Sequence, residues 1–340
     1  PPSIECAPGL MGLSMHSPTS SEKPSLENSQ AASGSLIIAS ANRPEVLGRC
    51  LRRVRALLPR DWEIIVVDDG SNPPLDADQF ATTKLLRNPT SMGRGAARNR
   101  GASEAAGVLV AFMDDDVFPL PSTFERLLRS VGSFGVWVAP VEQTTHEPVD
   151  PDDLSGSDPP DVGPVEVHMA PSGLLVTQKK TFDAIGGFST EITRLLDYDL
   201  SLRGRVAGHR MLQDRGAHFI HEDIHHSFRD LCLREHDSVS FLPTVWGMNL
   251  PEPPSPDEWG YTWFWENLRT RWLPIRWLGH LLQPEWSWRL FLRFVPVNRP
   301  RPDSLARLIF RIATVRGARL GLRRADPSFR KKMLMGRGAT

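Results

Sequence analysis

VLVAFMDDDV, residues 108–117, decides how the rest of the chain is read. An apolar run rich in Val and Phe stops at three consecutive carboxylates, Asp114, Asp115 and Asp116. Its unbroken apolar character is that of a strand buried on both faces, as in parallel sheets. Three acids at its carboxyl end repel one another unless something positive holds them. A hard divalent cation does this through oxygen ligands, commonly one or two carboxylates together with substrate phosphates. Taken alone, the triplet reads more readily as an acidic turn capping the next helix. The flanking segments decide between the two.

Upstream, SLIIAS (35–40) reads as a short buried strand, and residues 41–44 as a turn whose Pro44 suits the first position of a helix. Val46, Leu47, Leu51, Val54, Leu57 and Leu58 recur at helical spacing over 45–58, with arginines on the other face, and Pro59 closes the helix. WEIIVV (62–67) is a second strand and residues 68–71 are its loop. Strand, helix and strand with continuous apolar strands make a βαβ unit, parallel and right-handed. Ligands of such sheets bind beyond the carboxyl ends of the strands. Asn42, Arg43, Asp68, Asp69 and Asp114–Asp116 all fall on that rim. KLLRN (84–88) is a third short strand. SMGRGAARNRG (91–101) then enters a helix running to about residue 106. There Gly93 and Gly95 let backbone approach a ligand, and Arg94 or Arg98 suits a phosphate. The segment lacks the third glycine of a dinucleotide fingerprint and the Gly-Lys-Ser/Thr of a P-loop.

Four motifs in this order, SLIIASANRP, IIVVDDGS, NPTSMGRGAARNRG and VLVAFMDDDV, resemble the nucleotide-sugar half of a family 2 glycosyltransferase with the GT-A fold. GLLVTQKKTFDAIGGFSTEI (173–192) resembles that family's acceptor-side strand, helix and Gly-Gly-Phe turn, and LLDYDLSLRGRVAGHRM (195–211) the helix carrying its catalytic carboxylate. The resemblance covers about residues 35–228. It implies an α/β architecture of the Rossmann-like GT-A type, a mostly parallel sheet flanked by helices, with a mainly helical C-terminal extension. It implies Mg2+ or Mn2+ held by Asp116, with Asp114 as a ligand through water or a ribose contact. Asp69 would accept from the base, uracil in the first instance. Ser40, Asn42, Arg43, Gly93, Arg94, Arg98, Asp114 and Asp115 would line the nucleotide pocket. Asp197 would be the general base of an inverting displacement. Asp197 and Asp199 point to different faces, so one enters the cleft while the other caps or pairs with an arginine. Without the resemblance, Asp197 reads as a helix cap. The family has Glu-Asp where this chain has Leu196-Asp197. Among His218, His221, His225 and His226, His221 is the one expected at the metal or diphosphate. Ser172, Gly173 and Leu196 are expected at the acceptor, whether glycan, lipid-linked sugar or small molecule.

The expected organisation is a disordered tail over 1–33, a catalytic domain over 34–248 divided near residue 117, and a Trp-rich, basic helical region over 249–340. Residues 147–164 read as a Pro- and Asp-rich solvated loop. Net charge is zero but uneven: from Arg289 onward fourteen Lys/Arg face two acids, so that segment carries +12 and the rest −12. Cys6, Cys50 and Cys232 are too far apart for a metal pair or a disulfide framework, and a reducing cytoplasm fits them. No apolar run reaches membrane-spanning length, and no signal peptide is apparent. Eight of the ten tryptophans lie between Trp246 and Trp288. Over 304–324, Leu305, Leu308, Ile309, Ile312 and Val315 form one face flanked by arginines. Such a helix either lies on an anionic membrane surface, making residues 304–340 a peripheral anchor, or docks on the acidic body. No nucleic-acid-binding module is present. Competing classes are a retaining enzyme on the same fold, a nucleotidyltransferase and a non-catalytic nucleotide or sugar module. The second would want a glycine-rich loop directly after the first strand, which SANRP does not supply.

Overall fold

The computed structural model describes residues 34–80, 83–134, 137–145, 147–154, 163–170, 173–223, 227–251, 253–254, 281–282, 284–295 and 303–335. Residues 1–33, with their expected disorder, lie outside these. Strands β1 (Gly34–Ser40), β2 (Glu63–Asp69), β3 (Lys84–Asn88) and β4 (Leu109–Asp114) line up in the order β3-β2-β1-β4, all parallel. The reason they read as continuous apolar runs is visible in their packing. Leu36, Ile38, Ile64, Val66, Ala111 and Met113 enter the core on one side of the sheet, against α1 (Pro44–Leu57) and α3 (Thr123–Phe134). Ile37, Ile65, Val67, Val110 and Phe112 enter the core on the other side, which includes α2 (Arg94–Ser103), α4 (Lys179–Ala184), α5 (Leu196–Val206) and α6 (Phe228–Asn249). Successive residues point to opposite faces, and both faces are covered.

Beyond β4 the sheet becomes mixed. β8 (Leu174–Gln178) pairs antiparallel with β4 and with β6 (Trp137–Thr145), and β6 runs parallel to the long β9 (Met211–Glu222). β5 (Val117–Pro119) and β7 (Pro164–Glu166) add antiparallel edges to β9. The expected parallel sheet is thus the first half of the molecule. Residues 147–154 differ from a freely solvated loop: Val149 is buried, and Arg49 and Arg53 of α1 donate to the carbonyls of Val149, Pro151 and Leu154. The loop is pinned through backbone carbonyls, which composition does not reveal.

At the C-terminal end, α6 opens with a capping box between Ser227 and Asp230. Helices α7 (Glu285–Phe294), α8 (Asp303–Arg324) and α9 (Pro327–Met335) follow. Ser33–Thr340 cluster as one compact unit. Helix α8 lies on α6 so closely that a Cβ on Gly317 would meet the His236 carbonyl oxygen at 2.3 Å, and one on Gly321 the Ser240 carbonyl oxygen at 2.5 Å. Every residue from Ile312 to Ala318 is buried. Of the expected apolar face, Ile309, Ile312 and Val315 are buried and Leu308 is partly so, so this face is spent on docking and is not presented to a membrane. The Leu305 side chain lies outside the described set. Arg316, itself buried, donates to the Leu282 carbonyl at 2.6 Å, pairs with Glu285 at 3.0 Å, meets the His236 ring and stacks 4.6 Å over Trp288. Of the clustered tryptophans, Trp246 and Trp288 are buried and Trp286 is exposed. The other five lie outside the described residues. Among the described residues no helix is long and apolar enough to cross a membrane.

Candidate active site

The registers Ser40↔Asp68, Ala39↔Asp114 and Asp69↔Asn88 bring the strand ends level, so the loops after β1, β2, β3 and β4 form one rim. Each of the three consecutive acids is held there, Asp115 and Asp116 sharing Arg43. Asp114 pairs with Arg98, a fully buried arginine whose guanidinium lies 5.1 Å from the Phe188 ring centroid. Asp115 accepts from Ser40 Oγ at 2.6 Å and pairs with Arg43 at 3.1 Å. Burial, reinforced by Asp116, pushes its pKa up to about 7 despite Arg43. Asp116 pairs with the same Arg43 and faces His221 Nε2 at 3.5 Å. Burial opposes ionisation of Asp116, but His221 and Arg43 hold its pKa below the usual carboxylate range.

His221 reaches this cluster because the short strand β5 follows the triplet and pairs with β9, setting Val117 opposite His221. Its other nitrogen, Nδ1, meets Glu142 Oε1 of β6 at 2.6 Å. Burial alone would lower the imidazole pKa; the two flanking carboxylates overcome it and raise the value to about 10. Glu142 escapes sequence reading because it lies in a strand with no motif, 79 residues from His221. Nearby, Glu222 pairs with Arg49 at 2.6 Å, fixing the end of β9 to α1.

Asp69 accepts from Asn88 Nδ2 at 2.7 Å, Ser91 Oγ at 2.8 Å, and the backbone amides of Met92 and Gly93 at 2.9 Å each. Its carboxylate therefore fastens the loop that enters α2. Asp68 accepts from the amides of Ser71 and Leu75 and from Arg87. Asn42, with φ of 58°, accepts from the Asn72 amide and donates its own amide to Ser71, tying the loops after β1 and β2 together. Gly93 sits at φ 89°, a conformation disfavoured for other residues. Gly95 packs so tightly that a Cβ would lie 2.5 Å from the Ser189 carbonyl oxygen.

A cavity of about 410 Å³ opens between this glycine loop, the segment before α5 and α6; Arg94, Gly95, Thr190, Arg194, Leu196 and Asp237 are among its lining residues. Arg94 and Leu196 of the expected site thus meet here. Asp197 follows directly in the first turn of α5 and is half-buried. Asp199, two residues on, is buried and bound by Arg203 at 2.7 Å and Asn249 at 3.0 Å. It therefore takes the arginine-pairing place. The Gly173 carbonyl accepts from the Asp114 amide at 3.0 Å, so Gly173 abuts the triplet. Ser172, His225 and His226 lie outside the described residues. His218 instead contacts Gln143 and the Arg215 carbonyl.

Among the described residues no group of three or more His, Cys, Asp and Glu side chains is placed so that it could hold a metal ion. Asp116 and His221 nonetheless converge at 3.5 Å with oxygen and nitrogen donors. A cation there would displace the proton that the flanking carboxylates keep on His221 and would complete its shell with water and phosphate oxygens. The residues present fit Mg2+ or Mn2+ on those terms.

Level parallel strands, with an acidic triplet and a glycine loop on one rim, place this domain in the α/β class. Residues 35–149 match the family model described as Glycosyl transferase family 2. A Pre-mycofactocin glycosyltransferase of Mycobacterium tuberculosis is 30% identical over 202 residues, covering 55% of this chain and 42% of its own length. An uncharacterized glycosyltransferase of Haemophilus influenzae is 27% identical over 187 residues, covering 50% of this chain and 60% of its own. This chain thus spans less than two thirds of either relative. The family match is confined to residues 35–149, and both relatives are glycosyltransferases by name. The mannosyltransferase PcManGT from Pyrobaculum calidifontis, solved with GDP-Man and Mn2+, superposes with a TM-score of 0.59 at 14% identity, covering 84% of this chain and 86% of that one. GalNAc-T7, solved with UDP, GalNAc and Mn2+, gives 0.53 at 14% identity, covering 87% and 57%. At such identities the likeness shows the fold.

Proposed function

We propose that this chain transfers a sugar from a nucleoside-diphosphate sugar, a UDP-sugar in the first instance, to an acceptor hydroxyl with inversion. The observation that carries the reading is the convergence of Asp114–Asp116, Ser40, Arg43 and His221 at the carboxyl edge of a parallel sheet. The family match and the nucleotide and Mn2+ complexes of proteins sharing the fold support it.

Asp116 and His221 would hold Mg2+ or Mn2+, with Asp114 in reach through water or ribose. When bound, the cation supplies positive charge to offset that of the departing diphosphate. Arg43 already bridges Asp115 and Asp116, and its buried Nε has no hydrogen-bond partner. That leaves a donor suited to a phosphate oxygen. The loop at 91–93, held by Asp69, presents the floor of the nucleotide pocket together with Asn42. In the chemical step the acceptor oxygen bonds to the anomeric carbon as the bond to the diphosphate breaks. The bonding pair leaves with the diphosphate, and Asp197 takes the hydroxyl proton. Leu196 and Gly173 would bound the acceptor, a glycan, a lipid-linked sugar or a small molecule.

Asp197→Asn preserves shape and removes the base. In a screen of UDP- and GDP-sugars with Mn2+, this variant should bind nucleotide as the wild type does while turnover falls by roughly 10²-fold or more. Wild-type turnover in Asp197→Asn would discard the assignment. An α-linked product from an α-linked donor would move the reading to the retaining class.

A further inference from the structure

Helix α7 reads EWSWRLFLRF, residues 285–294. One face is anchored: Ser287 and Trp288 are buried, Trp288 stacks on His236 and Phe291 at 5.0 and 5.4 Å, and Phe291 and Leu292 join the core that holds Cys232, Ile309 and Ile312. Arg229 secures the end of the helix by donating twice to the Val295 carbonyl, at 3.0 and 2.7 Å. The opposite face differs. Trp286, Leu290 and Phe294 are 70%, 47% and 76% exposed. They stand at i, i+4 and i+8, so they form one continuous ridge along the helix. Isolated exposed apolar residues are ordinary, but a contiguous ridge of two aromatics and a leucine on the order of 300 Å² reaches the size of a typical monomer's largest apolar patch, which is often functional.

Charge decides what the ridge meets. Arg289 and Arg293 occupy the positions just before Leu290 and Phe294 and are exposed alongside them. The acid of this face, Glu285, stands at the N-terminal end of the helix, paired to Arg289 at 3.3 Å and to buried Arg316 at 3.0 Å. The helix therefore offers apolar side chains edged by guanidinium groups on a rigidly held frame. A Trp-Leu-Phe ridge beside arginines is complementary to the headgroup zone of an anionic bilayer: the rings enter the acyl boundary and the arginines stay with the phosphates. We propose that the outward face of α7, through Trp286, Leu290 and Phe294 with Arg289 and Arg293, docks the protein on an anionic lipid surface. This relocates the membrane contact from α8, whose apolar face is buried against α6.

The test is co-sedimentation of the full chain with vesicles of phosphatidylcholine alone and of phosphatidylcholine with about one-third phosphatidylglycerol. Three proteins are compared: wild type, Trp286→Ser with Phe294→Ser, and Arg289→Gln with Arg293→Gln. The four changed side chains are exposed, and unaltered thermal unfolding verifies the fold. Wild type should bind the anionic vesicles at least about tenfold more tightly than the neutral ones. The serine variant should lose at least about tenfold on anionic vesicles, and the glutamine variant should lose the preference for anionic lipid. Undiminished, salt-sensitive binding of the serine variant would overturn the proposal by assigning the contact to the other basic residues of the tail. No wild-type binding, or light scattering showing a dimer that the serine variant dissolves, would overturn it in favour of a second copy as occupant.

Discussion

Trp246→Phe probes how α6 supports α5, the helix that carries the proposed base. Trp246 Nε1–H donates to the Tyr198 hydroxyl at 2.8 Å, and both side chains are fully buried. Tyr198 is the neighbour of Asp197, and the same end of α6 supplies Asn249 to Asp199. Replacing Trp by Phe removes the donor and leaves a space where the larger ring was. Losing a hydrogen bond to a buried group costs about 1–3 kcal/mol. The lost ring volume adds about 1–2 kcal/mol, a fraction of a full truncation. The total is about 2–5 kcal/mol, which at roughly 1.5 °C per kcal/mol for a chain of this size lowers Tm by roughly 3–8 °C. Burial, the largest influence on the Tyr198 phenol, already raises its pKa to about 12, so ionisation offers no escape from the lost donor at neutral pH. Urea unfolding of wild type, Trp246→Phe, Tyr198→Phe and the double variant completes a cycle, with an expected coupling of about 1 kcal/mol. A Trp246→Phe cost under about 0.5 kcal/mol, or no coupling, would refute the claim that this bond braces the head of α5.

Three further outcomes follow from particular contacts. Gly317→Ala places a methyl against the His236 carbonyl of α6 and should cost about 1–3 kcal/mol in urea unfolding; a neutral result would contradict close packing of α8 on α6. Arg43→Gln removes the charge shared by Asp115 and Asp116, so calorimetry should find Mn2+ alone bound more tightly and nucleoside diphosphate more weakly; equal losses of both would count against Arg43 as a phosphate donor. Burial opposes ionisation of Asp68, Asp69 and Glu222, but hydrogen bonds and arginines prevail and hold all three pKa values below normal. Their stabilisation is complete above the unfolded carboxylate range near pH 4 and disappears as pH falls through the lower folded values. Tm should accordingly fall on acidification below about pH 4, and Arg87→Gln, which unpairs Asp68, should flatten that fall; an acid limb unchanged by Arg87→Gln would contradict the assignment.

The first half of the fold was legible because its signals are local. Strands covered on both faces must be apolar throughout, so SLIIAS, WEIIVV and VLVAFMD announced themselves, and β3 occupies the very residues 84–88 read as a strand. The rim followed from topology, since parallel strands bring their carboxyl ends together whatever lies between them. Features that depend on distant partners were not legible. Glu142 and Arg87 carry no motif; β6 brings one to His221 and β3 brings the other to Asp68. The pairing of Asp114 with Arg98, and the four donors that occupy Asp69, arise from loops meeting across the sheet. Helix α8 shows the limit of reading one helix alone: the pattern Leu308, Ile309, Ile312, Val315 suits lipid and protein equally, and Gly317 and Gly321 decide for α6 only once its backbone is in place. The exposed ridge on α7 was hidden in a Trp-rich stretch, because sequence does not say which of Trp286 and Trp288 faces inward.

The central claim is that the acidic triplet and His221 bind a nucleoside diphosphate together with a divalent cation. Calorimetric titration of UDP and GDP into the full chain, with and without Mn2+, and into Asp116→Asn, tests it most directly. The account predicts that one diphosphate binds with strong dependence on Mn2+, and that Asp116→Asn abolishes that dependence while the protein stays folded. Binding that ignores Mn2+, or a Mn2+ dependence untouched by Asp116→Asn, would contradict it.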